Sequence, residues 1–273
     1  MKVIESKRKT RKAQNMEPNP DLYPTERQER ILNLLSQNGR VSVTELSQMF
    51  NVSEVTIRTD LQALAAQDLI VRTHGGAVPA PRVPELSLML RRQKQVEEKK
   101  RIGAAAAGFV SNGDAIFLDA SSTALALAHH LRKHRDLTIL THSLVIAQSM
   151  LDAPGVTVVM TGGVVQRDTI SLLAPDGLAI LKKYNIKSGF FGAHGLSFPE
   201  GLTDVSAGEA EVKREVVSMC RQVVALIDAS KWGRVGPASF ARPEEIQIVI
   251  TDGQSPTALV EQARSLGTQV IQI

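Results

Sequence analysis

The chain has 273 residues, 43% of them hydrophobic and 22% charged, long enough for two domains or one large α/β domain and too apolar for a disordered or fibrous chain. Aromatic residues make up 4%, so the interior is built from Ala, Val, Ile and Leu, a composition suited to parallel α/β architecture. The net charge of +4 is uneven: residues 1–12 carry six Lys/Arg against one Glu, residues 13–82 six against eight acids, residues 83–101 six against three, and the rest fourteen against sixteen. Apolar stretches such as Ile102 to Val110 fall short of the roughly 18 residues that cross a bilayer. No apolar h-region follows the basic N-terminus, and a single cysteine, Cys220, allows no internal disulfide; both point to the reducing cytoplasm.

Residues 1–24 read as a basic, disordered arm able at most to touch phosphate nonspecifically. A first domain is predicted over 25–82. Thr25 and Gln28 in TERQ form a capping box ahead of an apolar face of Ile31, Leu32 and Leu35, and Asn38-Gly39 ends that helix. SVTE from Ser42 launches a second helix with Leu46, Met49 and Phe50 facing the core. Asn51-Val52 turns the chain, and Ser53 caps a third helix in which Ile57, Leu61 and Leu64 recur at helical spacing. Two capped helices joined by a short turn, about residues 43–62, make a helix-turn-helix. LIVRT then reads as a strand, His74-Gly75-Gly76 as a turn using positive φ, and Ala77-Val78 as its return, a small wing.

Pro79, Pro81 and Pro84 mark a boundary, and a single linker helix is predicted over 83–110. Residues 111–273 alternate short apolar runs with helical segments. Strands are predicted at Ala115 to Leu118, Leu137 to Leu140, Val156 to Met160, Ser188 to Phe191, Gln222 to Ile227, Ile246 to Ile250 and Thr268 to Ile271. Such a pattern predicts a mostly parallel sheet covered on both faces.

A recognition helix in the major groove places Thr56, Arg58 and Thr59 toward bases or phosphates and the N–H groups near Ser53 toward phosphate; Arg72 and His74 on the wing are further candidates. The alternative is a small helical bundle that contacts protein. In the second domain, Asp119 ends a strand and Ser121, Ser122 and Thr123 open a helix, an arrangement that either cradles an anion or merely caps the helix. Thr141-His142-Ser143, Gly162-Gly163, Gly192 to Gly195 and Asp228 to Lys231 also follow strands, at the edge where open α/β sheets bind ligands. Lys231 suits a phosphate or sugar oxygen. Glu209 and Lys213, four apart on one helix, either line that pocket or form an ordinary solvated salt bridge. Six histidines and one cysteine show no metal-ligand spacing, and no cofactor is expected.

From RILNLLSQNGRVSVTELSQMFNVSEVTIRTDLQAL through RTHGGA and into the second domain, the chain resembles DeoR-type transcriptional regulators over roughly residues 25–255. It departs from their pattern at Thr59, where a second Arg is usual, at Asp68, where Gly is usual, and at His142, where Asn is common. The resemblance implies a sensor domain with the fold of ribose-5-phosphate isomerase, glucosamine-6-phosphate deaminase and the CoA-transferases. It implies a phosphosugar effector, held at Ser121–Thr123 with Gly162 and Ser230-Lys231 lining the same pocket. The combined expectation is a repressor of a carbohydrate-use operon, without enzyme activity or membrane association, bound to operator DNA as a homodimer or homotetramer. The competing expectation is an isomerase or deaminase with an appended DNA-binding domain, using Glu209 or Asp228 as base.

Overall fold

The computed structural model describes residues 22–66, 69–79, 87–173 and 175–273. The chain divides into two compact units, Met1–Arg82 and Val83–Ile273. The basic arm, through residue 21, and Asp68 lie outside the described residues.

The first unit holds α1 (Pro24–Asn38), β1 (Val41–Ser42), α2 (Val43–Phe50), α3 (Glu54–Ala66), β2 (Ile70–Thr73) and β3 (Gly76–Pro79). Helix α1 starts earlier than TERQ predicts. Pro24 occupies its first turn, and the Glu26 carboxylate accepts from the Tyr23 N–H at 3.2 Å, so the capping contact sits two residues upstream of the predicted Thr25–Gln28 box. Gln28 instead donates to Asp60 at 3.3 Å. Ser42 caps α2 by accepting from the Glu45 N–H at 3.1 Å, as its position predicts. The buried stripe of α2 is Val43, Leu46 and Phe50, whereas Met49 is 49% exposed. At 100° per residue Met49 falls about 120° from Val43, off that stripe.

Strand β3 lies between β1 and β2 in an antiparallel three-stranded wing. Neither Gly75 nor Gly76 takes a positive φ. Gly76 is required for another reason: a Cβ there would come within 1.9 Å of the Val41 carbonyl oxygen, where β1 crosses β3. The short β1 has no apolar run to announce it. Buried between α1 and α3 is an ion pair, Arg27 Nε to Asp60 Oδ2 at 2.5 Å, with a second guanidinium contact to Asp60 Oδ1 at 3.3 Å.

In the second unit the predicted linker helix is two helices, α4 (Leu88–Gln93) and α5 (Val96–Ala107), broken where Gln95 takes φ 51°. Helix α5 is a core layer. Its Ile102 and Ala106 are buried, and a Cβ on Gly103 would lie 2.8 Å from the backbone of Ala126 and Leu127 in α6 (Ser122–Leu131). The remaining elements are β4 (Ala115–Leu118), β5 (Leu137–Thr141), α7 (Leu144–Ser149), β6 (Val156–Met160), β7 (Val164–Gln166), β8 (Ser171–Leu173), β9 (Ser188–Phe191), β10 (Gly195–Ser197), β11 (Gly201–Asp204), α8 (Ala207–Met219), β12 (Gln222–Leu226), β13 (Ala238–Ala241), β14 (Ile248–Thr251), α9 (Thr257–Ser265) and β15 (Gln269–Gln272).

Seven strands form one parallel sheet in the order β15-β14-β12-β9-β4-β5-β6. Alternate residues of one strand enter opposite cores: Phe117 packs with α8 and α9 side chains, while Ile116 and Leu118 pack with those of α5 and α6. That two-sided burial is why the strands read as continuous apolar runs. The strand predicted at Ile246 begins at Ile248, because residues 243–245 form a short 3-10 turn. A β7–β8 hairpin and an antiparallel sheet β10-β11-β13 complete the unit. Their three- and four-residue strands were not predicted, since GLS, GLTD and ASFA carry neither alternation nor an apolar run. Among the described residues no helix is long and apolar enough to cross a membrane.

Candidate functional site

On α3, Ser53 Oγ accepts from the Thr56 N–H at 3.1 Å and shares a 2.8 Å hydrogen bond with the Thr56 hydroxyl. Thr59 Oγ1 donates to the Val55 carbonyl at 3.0 Å, and Arg58 is exposed but tethered to Glu54 at 2.6 Å. Glu54 in turn accepts from Thr44 Oγ1 at 2.9 Å, joining α2 to α3. The Arg58–Glu54 pair faces water, so exchanging its carboxylate for a phosphate costs little. Val55, 69% exposed on the same helix, was not singled out in the sequence, although an apolar side chain there suits a thymine methyl. Arg72 on β2 and His74 in the turn are both exposed.

In the second unit β4 and β9 are parallel neighbours, and the chain leaves β4 toward β5 and β6 on one side and returns to β9, β12, β14 and β15 on the other. This is a topological switch point, where the carboxyl ends of strands open a crevice. Asp119 and Gly192 stand at its two lips. Asp119 Oδ1 accepts from the Ser121 N–H at 3.1 Å and Oδ2 from the Gly192 N–H at 3.0 Å. Ser121 Oγ caps α6 through the Ala124 N–H at 3.0 Å. The predicted cradle is therefore smaller than expected: the N–H and hydroxyl of Ser121 are both engaged, which leaves the first-turn N–H groups of Ser122 and Thr123, which have no intrahelical acceptor.

The solvated Glu209–Lys213 salt bridge is overturned, because both side chains are buried and each has other partners. Lys213 Nζ lies 2.7 Å from Asp204 Oδ2 and 3.0 Å from Asp119 Oδ2, and donates to the Gly192 carbonyl at 3.0 Å. Glu209 accepts from Ser171 Oγ at 2.8 Å, and its Oε2 lies 3.2 Å from His142 Nε2. Burial alone pulls the Lys213 ammonium pKa down, but Asp119, Asp204 and Glu209 together push it above the ordinary lysine value. Burial alone raises the Glu209 carboxyl, yet its bond from His142, the charges of His142 and Lys213 and the bond from Ser171 hold it well below the carboxylate range. Asp204 is likewise held low, Lys213 overcoming its burial. A carboxylate so strongly biased toward ionisation is a poor proton acceptor, which counts against Glu209 as a general base. Asp228 is occupied in capping the Ser230 N–H at 3.0 Å.

A cleft is lined by Arg91, Ala120, Thr169, Asp204, Val205, Glu209 and Lys213. Two cations and two carboxylates thus share it. Carboxylates suit hydroxyl donors and cations suit an oxyanion. Gly162, Gly163 and Lys231 do not line this cleft; they follow β6 and β12 on the same sheet edge, and the Gly162 N–H is turned to Gly177 O at 3.4 Å. Arg91, Thr169 and Asp204 were missed in the sequence. An Arg on a short helix reads as solvated, and Asp204 ends a strand that has no periodic signature. Among the described residues no group of three or more His, Cys, Asp or Glu side chains could hold a metal ion.

Residues 27–81 match the DeoR-like helix-turn-helix domain and residues 94–253 the DeoR C terminal sensor domain. The HTH-type transcriptional regulator GolR of Listeria innocua is 37% identical, over 91% of this chain and 98% of its own. The HTH-type transcriptional repressor GlcR of Bacillus subtilis is 33% identical over 85% and 89%, and the glycerol-3-phosphate regulon repressor of Escherichia coli 30% identical over 87% and 94%. Among solved structures, a ribose 5-phosphate isomerase from Methanocaldococcus jannaschii shows a loose likeness, with a TM-score of 0.38 and 18% identity over 51% of this chain and 55% of its own. A winged helix-turn-helix followed by a sensor domain, matched along nearly the whole length of named transcriptional regulators, makes this chain a DNA-binding member of the DeoR family of transcriptional regulators.

Proposed function

We propose that the protein is a cytoplasmic repressor of a carbohydrate-use operon that answers to a phosphosugar. The observation that carries this reading is the buried cluster of Lys213, Asp119, Asp204 and Glu209 beside the first turn of α6. First-turn N–H groups and cations suit a phosphate, and the carboxylates suit sugar hydroxyls. Asp119, Ser121, Ser122, Thr123, Glu209 and Lys213 form the site, with Gly162, Gly163 and Lys231 flanking it on the sheet edge. Ser53, Thr56, Arg58 and Thr59 of the recognition helix, with Arg72 and His74 of the wing, contact operator DNA. One small winged helix recognises few base pairs, so a homodimer or homotetramer presents two or more to paired half-sites.

The test is operator binding by the full chain, on a site selected from random duplex DNA, titrated with hexose, pentose and triose phosphates and with the unphosphorylated sugars. A change in operator affinity of about tenfold, within the usual 1–3 kcal/mol of allosteric coupling, by one phosphorylated sugar and not its parent supports the reading. Equal responses to both, or none to any, overturn it.

A further inference from the structure

We propose that Arg91 is the phosphate ligand through which the sensor cleft addresses α4, an inference that rests on the phosphosugar reading above. Arg91 Nε and Nη2 are buried and have no hydrogen-bond partner, although the residue lines the same cleft as Lys213, Asp204 and Glu209. The neighbouring buried cations have partners: Lys213 two carboxylates and a carbonyl, Lys99 two carbonyls. Buried donors left unpaired are uncommon in folded proteins and call for a partner. A guanidinium presents two parallel N–H donors in a rigid fork, and the oxyanion that matches it is a phosphate or a carboxylate. Asp204 feels the charge of Arg91 but makes no hydrogen bond to it, its oxygens being committed to Lys213 and the Val205 N–H, and Glu209 is committed to His142 and Ser171. The fork therefore awaits an oxyanion from outside the chain. Ala120, which precedes the first turn of α6, lines the cleft as well, so one phosphate can draw on Arg91 and on that turn together.

The backbone carrying Arg91 is held from both sides. The Leu88 N–H donates to the Asp168 carbonyl at 2.8 Å in the β7–β8 turn, and Lys99 Nζ donates to the Arg91 carbonyl at 2.6 Å and to that of Lys94. Helix α4 is also the first described helix after the segment that joins the two units. An anion that engages the Arg91 fork thereby acts on the first described helix that follows the DNA-binding unit in the chain.

Calorimetry on the full-length protein with inorganic phosphate, with gluconate and with the phosphosugar panel tests this, comparing wild type, Arg91→Met and Arg91→Lys. Arg91→Met is expected to weaken the phosphate-bearing probes by about tenfold or more, as for loss of a charge-assisted bidentate contact, and Arg91→Lys to fall between the two. The concentration of phosphosugar that changes operator affinity should rise in the same proportion. Without any probe Arg91→Met should melt no lower than wild type, since it removes unpaired donors; if it does not fold, Arg91→Gln takes its place in the same comparison. Phosphate probes bound within twofold of wild type overturn the assignment, as does a loss confined to sugar acids such as gluconate. A wild-type protein that takes none of the phosphates overturns the phosphosugar reading as well, whereas binding that ignores Arg91 overturns this inference alone.

Discussion

Arg27 in the DNA-binding unit and Lys213 in the sensor unit are both buried cations, yet their surroundings differ in kind. Arg27 meets one carboxylate, Asp60, and spends another donor on the Leu22 carbonyl at 3.1 Å. The pair closes on itself and pins α1 to α3. Lys213 meets two carboxylates with Glu209 close by, and the cleft beside it carries an unpaired guanidinium. A neutral, satisfied pair acts as a fastener. A network with unsatisfied donors on a sheet edge has the properties of a site, because its remaining hydrogen bonds must come from a ligand.

The sharpest way to break this contrast is to remove one charge from each unit. Lys213→Met leaves Asp119 and Asp204 buried without their cation, and Asp60→Ala does the same to Arg27; each should cost about 3–5 kcal/mol of its own unit's stability, read by urea unfolding. The pair in the first unit should also be replaceable: Arg27→Met with Asp60→Leu is expected to recover most of the loss and leave phosphosugar binding untouched. No apolar replacement at Lys213 should restore binding. A Lys213→Met protein that still takes phosphosugar would erase the distinction.

Ser121→Asp separates capping from anion binding. Asp caps α6 as well as Ser does, so the fold and operator affinity without effector should persist. Its carboxylate faces the incoming phosphate, and phosphosugar affinity should fall by about a hundredfold in calorimetry. Unchanged affinity would move the phosphate elsewhere.

Lys99 gives a pH signature to the α4 anchor. Burial lowers its pKa from 10.5 to about 8, with Asp228 opposing and Lys231, Arg91 and Lys94 adding to the shift. Between those values the folded chain binds fewer protons than the unfolded chain, so stability rises with pH across the window; below about pH 8 both states are protonated and the cost of burial is fully present. The rise is at most about 3 kcal/mol, because the two carbonyls at Nζ favour the charged form. Burial pushes the Cys220 thiol up from 9.0 to about 12, which makes stability fall over that range, so the comparison belongs in a Cys220→Ala background. There, Lys99→Met should flatten the rise; an unaltered slope would show that Lys99 is not its source.

The smallest expected effect is at the exposed pair on α3. Arg58→Ala should change stability by no more than about 0.5 kcal/mol, since Arg58–Glu54 is a surface ion pair. Operator affinity should fall by about 1 kcal/mol and the salt slope by about one unit if Arg58 meets phosphate. Loss of sequence discrimination at an unchanged slope would place it on a base instead.

Local periodicity made much of the architecture legible. Ile57, Leu61 and Leu64 announce α3, Ser42 and Ser53 announce their caps, and the runs at Ala115, Leu137, Ser188 and Gln222 announce the parallel strands, because each signal lies within one turn or one strand of the chain. Asp119, Ser121, Glu209 and Lys213 were visible as polar residues at the ends or on the face of such elements. What those four touch was not visible. Glu209 and Lys213, at helical spacing, equally describe a solvated pair, and only the packing of α8 against the sheet turns one to His142 and Ser171 and the other to Asp119 and Asp204. The break at Gln95, the partnership of Arg27 with Asp60 across 33 residues and the placement of Arg91 beside Lys213 are likewise decisions of the tertiary fold. By itself the sequence determined which segments become helix or strand, and that a winged helix precedes an α/β unit, since hydrophobic period and capping act over a few residues. Which buried charges find partners, and which guanidinium is left without one, depends on contacts between residues far apart in the chain, and only the folded structure brings those together.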